Sequence, residues 1–188
     1  MNLIIFGPPG AGKGTQSKFI AENFKLFQLS TGEFLRKEIA KKTDIGKKIS
    51  SIINAGSLVS DIIVSDLIEK IISNEKYHNR IIFDGYPRSL GQAKNLDLLL
   101  KKYDQKIDIV LKLSVGLETV KKRIYERRSV EKRPDDNEQI AIKRYETYEK
   151  STEPVIEYYK KIKLLKVIDG ERSIDQINKE ISDIIALI

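Results

Sequence analysis

The chain contains no cysteine, no tryptophan, one histidine and one methionine. Without cysteine, neither a disulfide framework nor a thiolate-ligated zinc is available. A lone His78 excludes the histidine clusters that hold many catalytic metals. Aromatic residues make up only 7% of the chain, and no nucleic-acid recognition motif occurs. Long apolar runs are missing too. The opening "MNLIIFG" is too short for a signal peptide and lacks a basic n-region, and no run reaches membrane-spanning length. A soluble, cytoplasmic protein with no membrane and no nucleic-acid partner is the expectation.

What is abundant is charge. Charged residues are 32% of the 188, and the net charge is +7, which suits nucleic acid, anionic lipid or a phosphorylated small molecule without choosing among them. The length is that of one domain with a sizeable core. The densest basic stretch, "ERRSVEKRPDD" (126–136), sets Arg127, Arg128, Lys132 and Arg133 close together.

Hydrophobic patterning gives an alternation of strands and helices. "LIIF" (3–6), "RIIFDG" (80–85) and "IDIVLKL" (107–113) are continuous apolar runs of the kind that parallel strands covered on both faces require. "KLLKVID" (163–169) is a weaker example, and "FQLS" (27–30) a short one. Helical periodicity marks "KGTQSKFIAENF" and residues 65–73, 89–103, 117–128, 138 to about 161, and 173–188. Such alternation predicts βαβ units, hence a five-stranded parallel sheet flanked by helices in three layers. The helical patterns through Leu35, Ile49 and Ile68 form an insertion on that core.

"GPPGAGKGT" (7–15) follows a strand and opens a helix, the context of a phosphate loop. Its glycines let backbone N–H groups turn inward around an anion, the helix N-terminus adds partial positive charge, and Lys13 reaches the outer phosphates. The fold class is therefore α/β, of the P-loop NTPase type. Gly14 follows Lys13 and Thr15 comes one place later than the usual magnesium-binding hydroxyl, so direct ligation by Thr15 is not expected. Asp84 ends an apolar strand at the carboxyl edge, where it suits magnesium held through water.

With this loop form the chain resembles the adenylate kinases, over essentially its whole length. "LSTGEFLR" (29–36), "NAGSLVSD" (54–61) and "FDGYPRSLGQA" (83–93) are similar to that family's monophosphate-site segments. Singly, Thr31 to Glu33 would serve as a helix cap, Arg36 as a partner of Glu33 or Glu38, and Gln92 as an exposed helical residue. Their order behind a phosphate loop carries the resemblance. It implies an ATP site at Gly10, Ala11, Gly12, Lys13, Gly14, Thr15, Arg123, Arg127 and Arg172. It implies an AMP site at Thr31, Arg36, Ser57, Leu58, Val59, Gly85, Tyr86, Pro87, Arg88, Gln92, Arg133 and Arg144. Catalysis falls to Lys13, Arg88, Arg127, Arg133 and Arg144, with Mg2+ as cofactor, no zinc, and ATP, AMP and ADP as ligands of a monomer.

The resemblance further implies a core at 1–29, 60–125 and 137–188, an NMP-binding insertion at 30–59 and a short lid at 126–136. A UMP/CMP kinase is the nearest alternative. That subfamily tends to have a smaller residue at Thr31 and asparagine at Ser89, and Thr31 and Gln92 favour AMP. A GTPase-like switch is disfavoured because no Asn-Lys-x-Asp motif occurs.

Overall fold

The computed structural model describes residues 1–55, 57, 59–131 and 137–188. Five strands, β1 (Leu3–Phe6), β2 (Phe27–Ser30), β3 (Ile81–Asp84), β4 (Ile109–Ser114) and β5 (Leu165–Asp169), form one parallel sheet in the order β2-β3-β1-β4-β5. Successive side chains on a strand point to opposite faces, and both faces are apolar here. Ile4, Phe6, Ile81 and Phe83 join one core, while Leu3, Ile5, Ile82 and Leu111 join the other. This explains why β1, β3 and β4 read as unbroken apolar runs. β5 reads more weakly because it is an edge strand on which Lys166 and Val167 face solvent.

Eight α-helices connect and cover the sheet among the described residues: α1 (Lys13–Phe24), α2 (Thr31–Ala40), α3 (Asp44–Asn54), α4 (Asp61–Ile72), α5 (Leu90–Lys102), α6 (Leu117–Glu131), α7 (Glu138–Lys161) and α8 (Ile174–Ile185). Buried residues of α4, α5 and α7, such as Ile68, Leu96 and Val155, build the first core; Ile20 of α1, Val120 of α6 and Ile181 of α8 build the second. Each fully buried Ile or Leu contributes about 1.5–3 kcal/mol by leaving water.

Two boundaries differ from the sequence expectation. α4 begins at Asp61, four residues before the apolar period becomes visible, because Asp61 and Ile62 are exposed and show no inward face. α6 continues through Glu131, so positions 126–131 of the expected lid are helical, and its remaining positions 132–136 lie outside the described residues. Within the expected insertion, α2 and α3 pack closely enough that a Cβ on Gly46 would overlap the carbonyl of Glu38.

Candidate active site

The carboxyl ends of the strands gather the chemistry. Residues 7–12 leave β1 and turn into α1, with Gly10 at φ 78° and Gly12 at φ 90°, left-handed values that suit glycine. At Gly10 a Cβ would also come within 3.2 Å of the Val120 carbonyl, because the loop rests against α6. Among the described residues α1 has neither a side-chain cap nor an acidic residue in its first turn. Its N–H groups and positive dipole end thus await an external anion. Thr15 is exposed, on that first turn.

Lys13 Nζ donates to the carbonyls of Gly7 at 2.6 Å and Pro8 at 3.0 Å, held back on its own loop. Burial lowers its pKa from 10.5 to about 8, against the pull of Asp84, and the positive charges of Arg88, Arg144 and Arg127 lower it further. Arg88 behaves alike: burial first, then Arg144, with a smaller push from Arg36, brings it down to about 10 despite Asp84. The fold therefore presses like charges together in a half-buried place, which is unfavourable until an anion arrives.

The turn after β3 is built for Arg88. Gly85 sits at φ 81°, and a Cβ there would lie 3.0 Å from Thr31 Oγ1 and 3.1 Å from an Arg88 guanidinium nitrogen. The Gly85 carbonyl accepts from both Arg88 Nε at 2.7 Å and Thr31 Oγ1 at 2.9 Å. Tyr86 and Pro87 follow, joined by a cis peptide, and Ser89 caps α5 by accepting from Gln92 N at 3.1 Å. Gln92 is 5% exposed, and its Oε1 accepts from Arg88 N at 2.7 Å. The capping of α2 falls to Ser30, whose side chain accepts from Glu33 N, leaving Thr31 for the site.

These residues line one pocket. Lys13, Thr31, Arg36, Arg88 and Arg144 line it with Gly85, Tyr86 and Pro87, and so do Ser57, Val59 and Gln92. Leu58 and Arg133, expected at this site, lie outside the described residues. Arg127 is near enough to Lys13 to lower its pKa. Arg123 and Arg172 do not line this pocket. They meet the loop after β5, where Arg123 Nη2 donates to the Gly170 carbonyl at 2.9 Å. The Arg172 guanidinium pairs with Glu180 of α8 and its Nε reaches the Asp169 carbonyl at 3.4 Å.

Asp84 is 7% exposed, and Gln28 Nε2 donates to its Oδ2 at 3.2 Å. No cluster of three or more His, Cys, Asp or Glu that would cage a metal occurs among the described residues. A single carboxylate beside a phosphate loop is the donor set that magnesium accepts when substrate phosphates and water complete its shell.

The sequence reading missed four contributors. Gln28 steadies Asp84 from a neighbouring strand, across 56 residues. Asp61 accepts from Gln92 Nε2 at 2.5 Å. Tyr148 and Thr152 line the pocket, and the Tyr148 hydroxyl is buried with no hydrogen-bond partner among the described residues. Burial pushes that phenol up, so it stays protonated. The signal for it was available: positions 144, 148 and 152 share one face of α7.

An anion-cradling loop whose lysine faces a guanidinium-rimmed pocket on the same sheet edge is the arrangement of a phosphate-loop phosphotransferase. Comparison with known proteins agrees and narrows this. The family model described as "Adenylate kinase" matches residues 5–164. The adenylate kinase of Pelagibacter ubique strain HTCC1062 is 43% identical over 211 aligned positions, covering 98% of this chain and 99% of that protein. That of Bartonella henselae strain Houston 1 is 39% identical over 191 positions, covering 98% and 100%. That of Archaeoglobus fulgidus is 37% identical over 212 positions, covering 98% of each chain. The chain belongs to the adenylate kinase family. Alignments of 211 and 212 positions exceed the 188 residues here, so those two relatives carry residues that this chain lacks.

Proposed function

We propose that this chain catalyses the reversible transfer of the terminal phosphoryl group of ATP to AMP, giving two ADP. The bond from the terminal phosphorus to the bridging oxygen breaks, and a bond from the same phosphorus to an AMP phosphate oxygen forms. The observation that carries this reading is the convergence of Lys13, Arg88, Arg127 and Arg144 on one junction, with Lys13 pushed down to about 8 by burial and by those charges.

ATP and AMP together bring roughly six negative charges to a loose transition state that needs positioning and neutralisation more than covalent chemistry. Lys13, Arg36, Arg88, Arg127, Arg133 and Arg144 supply the protein's counter-charge. Guanidinium forks hold phosphate oxygens in pairs, which fixes direction as well as charge. Magnesium, when bound, adds two positive charges at the ATP phosphates, with Asp84 holding it through water. No general base is required, because the acceptor oxygen is largely deprotonated at pH 7, a phosphate monoester having its second pKa near about 6.

ATP takes the loop residues Gly10 to Thr15, Arg127, Arg123 against its base and the backbone at Arg172. AMP takes Thr31, Arg36, residues 57–59, Gly85 to Arg88, Gln92, Arg133 and Arg144. The core comprises 1–29, 60–125 and 137–188; the insertion at 30–59 closes over AMP, and the short lid at 126–136 closes over the transferring group, which keeps water out. Monomeric, cytoplasmic work in purine nucleotide salvage goes with this reading. No helix among the described residues is long and apolar enough to cross a membrane.

Incubation with ATP, AMP and magnesium should yield ADP, and replacing AMP by CMP should reduce turnover severely. Turnover mainly on CMP would overturn the choice of acceptor. Salt-sensitive nucleic-acid binding without kinase activity would overturn the reading as a whole.

A further inference from the structure

Gln92 is held from two sides. Its Oε1 accepts from the Arg88 backbone N–H at 2.7 Å, and its Nε2 donates to Oδ1 of Asp61 at 2.5 Å. A backbone N–H can only donate and a carboxylate can only accept. Both neighbours therefore demand the same one of the two orientations open to the amide. Turning it over would set its oxygen against a carboxylate and its nitrogen against an N–H, with both bonds lost. The backbone of Gln92 is tied as well, its N–H donating to Ser89 Oγ at 3.1 Å and its carbonyl accepting from Tyr86 OH at 3.3 Å. Only the side-chain torsions remain free to choose, and Asp61 and Arg88 choose for them.

An amide engaged in this way keeps one Nε2 hydrogen and one Oε1 lone pair for a ligand, and Gln92 lines the pocket. A fixed amide recognises hydrogen-bond polarity. A 6-aminopurine offers a ring-nitrogen acceptor beside an amino donor, which matches a glutamine bidentately. A 6-oxopurine offers the reverse, an N1–H donor beside an O6 acceptor. A glutamine free to turn over would meet either base; one pinned by a carboxylate on one side and an N–H on the other meets only the first.

We propose that Asp61 is a specificity-determining positioning residue, which fixes the Gln92 amide in the orientation that accepts a 6-aminopurine and rejects a 6-oxopurine. This rests on the reading of the pocket as the AMP site. Asp61 is an exposed first residue of α4, so its replacement leaves the core untouched.

The test measures kcat/KM for AMP and for inosine monophosphate, with ATP as donor, in the native protein, in Asp61→Asn and in Asp61→Ser. Asparagine and serine can each donate as well as accept, so both release one of the two constraints. The AMP-to-IMP ratio should fall about tenfold in each variant, the equivalent of one hydrogen bond, while KM for ATP stays put. In a Gln92→Met background, Asp61→Asn should leave the ratio where Gln92→Met set it, since the effect passes through that amide. An unchanged ratio in both Asp61 variants, with only KM for AMP or thermal stability altered, would make the contact merely structural and overturn the proposal. An undiminished drop in the Gln92→Met background would overturn the route through Gln92. Absence of ADP from native protein given ATP and AMP would overturn the AMP reading instead, a different outcome seen before any variant is compared.

Discussion

The two sides of the cleft are made of different material. Around the turn after β3, side chains hold one another: Thr31 and Arg88 share the Gly85 carbonyl, and Gln92 bridges Arg88 and Asp61. Around the phosphate loop the surface is mostly main chain, the loop 7–12 and the open start of α1, with Lys13 resting on its own loop. A site built from interlocked side chains selects shape and polarity, and is upset by single substitutions. A site built from backbone takes a polyphosphate whatever the neighbouring side chains are.

The largest expected effect breaks the junction between the two sides. Arg88→Ala should lower kcat by about 10²–10³, since it removes charge aimed at a transferring phosphoryl group. It should lower thermal stability by no more than about 2–4 °C, because burial and the neighbouring Arg144 already disfavour that cation. Steady-state kinetics beside a thermal melt checks both, and unchanged turnover in a folded variant would remove Arg88 from the chemistry. Next, Gly85→Ala should raise KM for AMP about tenfold or more with KM for ATP nearly constant. The added methyl strains a left-handed residue and crowds Thr31 and Arg88. A matching rise in both constants would erase the contrast between the sides.

A smaller effect concerns pH at Lys13. Burial, with the surrounding positive charges, brings Lys13 down to about 8, against 10.5 as its ordinary value. Above pH 8, ATP binding must first restore the proton, so affinity should weaken, approaching tenfold per pH unit. Stability should move the other way. Between pH 8 and 10.5 the unfolded chain holds more protons at this position than the folded one does, so the contribution of Lys13 to stability improves as pH rises. ATP titrations and melts across pH 7–10 measure both slopes, and Lys13→Met should flatten them. Smallest of all, Arg172→Ala should change KM for ATP less than about threefold, because its guanidinium is engaged with Glu180 and Asp169 within the fold.

The layered architecture was legible because a parallel sheet covered on both faces leaves runs such as "LIIF" and "RIIF" with no polar interruption, and the structure places β1 and β3 there. Helix ends were less legible. Asp61 and Ile62 open α4 on an exposed turn, where hydrophobic periodicity carries no information. Within the site, local motifs announced themselves: the glycines and Lys13, and the run from Asp84 to Gln92. What stayed hidden was pairing at a distance. Nothing in "FQLS" says that Gln28 will reach Asp84 on the next strand, and nothing around Asp61 points to Gln92, 31 residues on. Such partners follow from strand order and helix packing, which are global properties of the chain. Tyr148 was an intermediate case, since its place one turn beyond Arg144 on α7 was readable by period.

The most direct measurement of the two-sided account follows a label through one turnover. With unlabelled ATP, magnesium and AMP carrying a labelled phosphate, the account predicts one labelled ADP for each unlabelled ADP, and no loss of ATP when AMP is left out. Release of inorganic phosphate from ATP without labelled ADP would contradict it.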